Sequence, residues 1–161
     1  MHKIMVRMVI CICGLMIIPG ASLAQEDAAT IDKKHREALT RGDVDAALAL
    51  YADDAVLEGF PACNSFCRGK AAIRKALERR VEEKVTATAV ASYPSGNVIT
   101  TRNEVRTNGT RKAGVERVVR WDILEAKDGK IVSVRILFEL SDAETARYRK
   151  SRAERRKSRT R

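Results

Sequence analysis

The stretch Ala38 to Phe60, "ALTRGDVDAALALYADDAVLEGF", decides how this chain folds. Gly42 reads as a helix stop and Asp43 as the N-cap of the next helix, so two helices meet at a Gly-Asp pair. The second helix presents Val44, Ala47, Leu48 and Tyr51 on one face and passes into a short strand from Ala55 to Phe60. A strand's period of two puts Ala55, Leu57 and Gly59 on one face of it and Val56, Glu58 and Phe60 on the other. Glu58 is therefore either a carboxylate re-aimed into a pocket by a bulge at Gly59 or a solvent-facing strand residue.

Upstream, from Ala28, the positions Ile31, His35, Ala38 and Leu39 recur at helical spacing. Downstream, the loop "PACNSFCRG" leads to Gly69, which opens a third helix with Ile73, Ala76, Leu77 and Val81 on its buried side. Four strands follow: Val85 to Tyr93, Val98 to Thr107, Val115 to Ala126 and Lys130 to Leu140. Asn108-Gly109 and Asp128-Gly129 read as hairpin turns between them, and Ser141 with Glu144 as a capping box for a short helix. This order predicts an α+β fold, three helices on one face of a curved antiparallel sheet.

Residues 1–24 have the features of a secretory signal peptide: Lys3 and Arg7, an apolar run from Met8 to Ile18, then Pro19-Gly20 and the small-residue end Ala21-Ser22-Leu23-Ala24. The apolar run is too short for a bilayer core, which needs roughly 20 residues. Export to the periplasm or medium is the expectation, with a domain at 25–140 and a basic tail at 141–161. Cys11 and Cys13 leave with the leader, so Cys63 and Cys67 are the cysteines that remain. In an oxidising compartment they are expected to form a local disulfide worth about 2 kcal/mol. As half of a metal site the pair lacks further ligands, since His35 is the mature chain's single histidine, and no metal is expected.

The formal net charge of +10 sits at the two ends. Residues 147–161 hold nine Arg or Lys against one Glu, the leader holds Lys3 and Arg7, and the segment between them is neutral. With no aromatic beyond Tyr148, the tail suits loose attraction to an anionic membrane or polymer, or a solvated helical extension, and not specific nucleic-acid recognition.

Three segments, the opening stretch, "CRGKAAIRKAL" (67–77) and "DGKIVSVRILFEL" (128–140), resemble the nuclear-transport-factor-2-like superfamily in the same order. Within it they are most similar to SnoaL-like polyketide cyclases and ketosteroid isomerases. The resemblance implies a cystatin-like cone with an apolar, steroid-sized pocket and a homodimer formed through the outer face of the sheet. Of the isomerase set, the tyrosine position falls on His35 and the base aspartate on Gly59, one residue beyond Glu58. The oxyanion-stabilising acid falls on Trp121 or Asp122, depending on how the Asp128-Gly129 hairpin is aligned.

Arg120-Trp121-Asp122 also resembles the Arg-x-Asp pair of limonene-epoxide hydrolases, whose second aspartate is here Ile136. The candidate catalytic residues are thus His35, Asp122 and Glu58, and the candidate pocket wall is Tyr51, Leu57, Gly59, Trp121 and Phe138. No cofactor is implied. The leading expectation is an exported protein holding a small apolar, ring-containing molecule without the isomerase's proton-transfer set. The alternative is a cyclase, isomerase or hydratase using His35 with Asp122 or Glu58.

Overall fold

The computed structural model describes residues 26–63 and 66–159. The expected signal peptide, residues 1–24, lies outside them. Helix α1 (Ala28–Thr40) starts where the Asp27 carboxylate accepts the Thr30 N–H at 2.7 Å. Helix α2 (Val44–Ala49) starts where Asp43 accepts the Ala46 N–H at 2.9 Å, as the Gly-Asp reading predicts. Strands β1 (Tyr51–Glu58) and β2 (Phe66–Arg68) flank the cysteine loop, where Cys63 and Cys67 form a disulfide with Cα atoms 5.4 Å apart. Helix α3 (Gly69–Glu82) follows, then β3 (Thr86–Ser95), β4 (Val98–Arg106), the short α4 (Asn108–Lys112), β5 (Val118–Lys127), β6 (Lys130–Phe138) and α5 (Ala143–Arg159).

The six strands form one open sheet in the order β2-β1-β6-β5-β4-β3, antiparallel except where β1 runs parallel to β6. Register shifts in β1, β3 and β6 mark irregularities of the bulge type, which bend strands and increase their twist. The curved sheet wraps α1 to α3. The larger core lies between them, with Ile31, Tyr51, Leu57, Ile73, Leu77 and Ile131 all at 0% exposure. A second cluster, Val105, Val115, Val118 and Tyr148, lies at the α5 end. Among the described residues no helix is long and apolar enough to cross a membrane.

Local expectations needed four corrections. Strand β1 begins at Tyr51, not Ala55, because its first residue already pairs with Ile131 of β6. Asn108-Gly109 is no hairpin turn: Thr107 and Thr110 cap each other reciprocally and wind α4 there, while the Asn108 N–H donates to Glu83 O at 2.8 Å. Gly96-Asn97 turns β3 into β4, with Gly96 at φ +58°, and the Asp128-Gly129 turn stands, both residues having positive φ.

The tail also differs from a short helical start. Helix α5 runs from Ala143 to Arg159, capped by Asp142 rather than Ser141: the Asp142 carboxylate accepts from both Thr145 N–H and Thr145 Oγ1 at 2.8 Å. Thr145 in turn accepts the Val119 N–H at 2.8 Å, and Tyr148 is buried. The first half of the tail therefore belongs to the packed body.

Candidate functional site

The inner face of the sheet is set by alternation. On β4 it carries Ile99, Thr101, Asn103 and Val105, all buried; on β5 it carries Val118, Arg120, Asp122 and Leu124. Ile136 of β6 stands directly opposite Asp122, and Phe138 opposite Arg120. This register resolves the hairpin ambiguity in favour of Asp122 as the inward residue.

Between this face and the helices lies a cavity of about 810 Å³, within the size range of small-molecule sites. Phe60, Val105, Val118, Phe138 and Tyr148 supply apolar wall, and Gly59 and Cys63 belong to its rim. Six arginines also line it: Arg79 and Arg80 from α3, Arg120 from β5, and Arg149, Arg152 and Arg155 from α5. Two of these stack on aromatic rings, Arg149 at 4.8 Å from the Phe138 centroid and Arg152 at 6.0 Å from that of Tyr148.

Next to the cavity sits a buried polar cluster. Arg120 is 5% exposed and clasps Asp122 with Nε 2.8 Å from Oδ1 and Nη2 donating to Oδ2 at 2.9 Å. The Nε contact is an ion pair whose angle is too poor for a hydrogen bond, which leaves Asp122 Oδ1 enclosed without a donor. On α1, Arg36 donates to Asp32 Oδ2 at 2.5 Å and to Asn103 Oδ1 at 3.1 Å. Burial raises the Asp32 pKa, Arg36 opposes that rise, and the Asp122 charge adds to it, so the two carboxylates feel one another.

His35 and Tyr51 share a 2.9 Å hydrogen bond between Nε2 and the phenol oxygen, their rings edge to face. Burial first, then the Arg80 and Arg36 charges, holds the imidazole down at about 3, and burial raises the Tyr51 pKa. Both are neutral near pH 7, and an imidazole held at about 3 is too weak a base to suit the general acid–base role expected of His35. The pair closes the core and lines no part of the cavity.

Glu58 stands on the outer side of β1, its side chain 52% exposed and its Oε2 accepting from Arg135 Nε at 2.7 Å. No bulge turns it inward, and the reason is at Gly59. A Cβ there would lie 2.3 Å from the Ile136 carbonyl oxygen, so the chain at the isomerase's base position passes too close to β6 for any side chain.

Among the expected wall residues, Gly59 and Phe138 line the cavity and Leu57 is fully buried in the core beside it. Trp121 is a correction: the register turns it to the outer face, where its Nε1 donates to Glu139 Oε2 at 3.1 Å and its ring lies 6.2 Å from that of Tyr93.

Arg80, Asp32 and the α5 arginines were missed from sequence, though the first two carried a signal. Arg80 follows Ile73 by seven residues, Ala76 by four and Leu77 by three, the buried stripe of α3, whereas Val81 is exposed. Asp32 likewise shares the stripe of Ala28, Ile31 and His35.

Residues 33–134 match the family model of the SnoaL-like domain. The chain belongs to the SnoaL-like family. Its fold is shared by the solved structure of a candidate polyketide cyclase from Sinorhizobium meliloti, 25% identical, covering 67% of this chain and 94% of that one with a TM-score of 0.58. It is also similar to SalBIII, described as an epoxide hydrolase/cyclase-like enzyme in pyran ring formation in the polyether salinomycin (22% identity, 71% and 92% coverage, TM-score 0.61). An NTF2-like protein of unknown function from Cytophaga hutchinsonii aligns over 74% of this chain and 96% of its own at 15% identity and a TM-score of 0.59. No curated protein sequence matches. These SnoaL-like and NTF2-like likenesses agree with the α+β expectation of a curved sheet packed against helices, and the sheet is unclosed.

Proposed function

We propose that this SnoaL-like protein is exported and binds one small molecule with a ring-containing apolar body in the cavity between α3, α5 and the inner face of β4 to β6. One observation carries the reading: a void of about 810 Å³ with Phe60, Val105, Val118 and Phe138 on its wall. The Cys63–Cys67 disulfide supports the export part, because such a bond persists in an oxidising compartment. Thermal-shift screening of the mature chain against steroids, terpenes and aromatic polyketides tests the binding. A shift of several degrees with at least one class is expected, and no shift with any class would end the reading.

Asp122 favours a second reading, an enzyme of the cyclase or hydrolase type, because its carboxylate faces inward, clasped by the cavity-lining Arg120, with one oxygen lacking a donor. SalBIII lends this reading its reaction class. Ile136 opposite Asp122 leaves the last strand without a second carboxylate, so Asp32 is the remaining acid in electrostatic contact. If the reading holds, Asp122→Asn abolishes conversion of a bound epoxide while preserving the ligand's thermal shift.

The homodimer expectation is retained as a proposal. Tyr93, 57% exposed, and Leu137, 49% exposed, flank Trp121 on the outer sheet face. Sedimentation of a Leu137→Glu variant tests it: a dimer that persists unchanged would place the interface elsewhere.

A further inference from the structure

The cavity that the sequence leads one to expect is greasy, and the one present carries six arginines and Lys112 among its described lining residues. Among the described residues its single lining acid is Glu83, already ion-paired with Arg79 at 3.0 Å. Arg120 is balanced by Asp122. Arg80, Arg149 and Arg152 have no carboxylate partner among the described residues, and the Arg80 Nε is shut off from solvent with no hydrogen-bond acceptor. Arg80 as a whole is part-exposed because it opens onto the cavity. Burial, and after it the Arg120 charge, pulls its pKa down to about 10, with the Asp122 charge opposing the fall only in part.

Enclosed guanidiniums are disfavoured unless an anion meets them, and their planar forks suit a carboxylate or another oxyanion. We propose that the ligand of this cavity is an anionic amphiphile: an oxyanion head group held by Arg80 and Arg120 at the inner end, and a ring-containing apolar body against Phe60, Val105, Val118 and Phe138. Arg149 and Arg152 of α5 stand over the mouth, so part of the basic tail serves the pocket. The inference rests on the small-molecule reading of the same cavity and narrows its ligand class.

Matched pairs test it on the mature chain by calorimetric titration: lithocholate against its methyl ester, 2-naphthoate against its methyl ester, and inorganic phosphate alone. At least one acid binds roughly tenfold or more tighter than its ester, the scale of a charge-assisted hydrogen bond, and phosphate alone binds far more weakly than that acid. Arg80→Met removes the acid's advantage and leaves ester affinity within about threefold, because the apolar wall is untouched. Arg152→Gln, at the mouth and outside the core, lowers the acid's affinity severalfold and keeps the test open if Arg80→Met does not fold. Equal binding of acid and ester overturns the anionic ligand and leaves small-molecule binding standing. Phosphate matching the acid overturns the amphiphile, and no binding by any compound overturns both readings.

Discussion

Gly59 shows how one residue can remove a chemistry. Its φ of +76° and the 2.3 Å approach of a virtual Cβ to Ile136 O mean that Gly59→Ala costs both backbone strain and a clash. A loss of about 1–3 kcal/mol or more in urea unfolding is expected. His35 makes the opposite point, being present but silent. Its imidazole titrates near 6.5 when unfolded and at about 3 when folded, so the unfolded chain binds the extra proton in that window. The stability it confers is complete above pH 6.5 and declines as pH falls toward 3, by about 3 kcal/mol at pH 4. The raised Asp32 pKa opposes this in part, since a carboxyl with a raised folded pKa favours folding as pH falls.

Melts from pH 7 to 4 should therefore fall less steeply for His35→Gln than for the parent chain, and parallel slopes would contradict the buried neutral imidazole. Arg80→Met is expected to raise the melting temperature of the free protein, by at least about 1 kcal/mol in stability, because it removes an unpaired enclosed charge. A lowered melting temperature would show that Arg80 supports the fold. At this scale the sequence was only partly legible. Period two set Glu58 on the face opposite Leu57 and Gly59 but left a bulge open, and Trp121 and Asp122 could not be told apart, since each face of β5 carries apolar neighbours and only the pairing with β6 sets the register.

Elements were more legible where local chemistry determines them. Asp43 after Gly42 and the Asp128-Gly129 turn each act within a few residues, and each stands where expected. Asn108-Gly109 misled because the adjacent Thr107 and Thr110 offer reciprocal helix caps, which outcompete a two-residue turn. The basic tail misled for a different reason: charge composition suggests solvent, whereas the signal for packing is the pair Thr145 and Tyr148, too sparse to read without the partner surface. Two expected outcomes follow for α5.

Asp142→Ala removes the cap that holds Thr145 and the ion pair to Arg117 at 2.9 Å, and should cost about 1–2 kcal/mol. Its carboxyl is at about 2: burial would raise it, but the Thr145 and Arg117 hydrogen bonds and the Arg117 charge outweigh that. This contribution is complete above the ordinary aspartate range and is lost as pH falls through 2, so the variant's deficit should shrink in strong acid. Truncation after Ala146 removes Tyr148 from the second cluster and should lower the melting temperature clearly, by an equivalent of about 3 kcal/mol. An unchanged melting temperature would mean that α5 rests loosely on β5.

For the whole molecule, one fold supports two interiors. The α1 to α3 half is solid, closed by Tyr51, Leu57 and Ile131, and the α5 half is hollow and cationic. Segment order made the SnoaL-like architecture readable, because the Gly-Asp helix junction, the Gly69 helix start and the last hairpin carry the resemblance in that order. Cavity chemistry was not readable, since its charges come from α3, β5 and α5, which are brought together by tertiary packing alone. If that void is where a ligand sits, Val118→Trp, which fills it from the floor beside Tyr148 of α5, blocks the site. Titrated with the tightest acid found for the parent chain, the folded variant should show binding weakened by about a hundredfold or abolished; affinity equal to the parent's would place the ligand elsewhere and contradict the account.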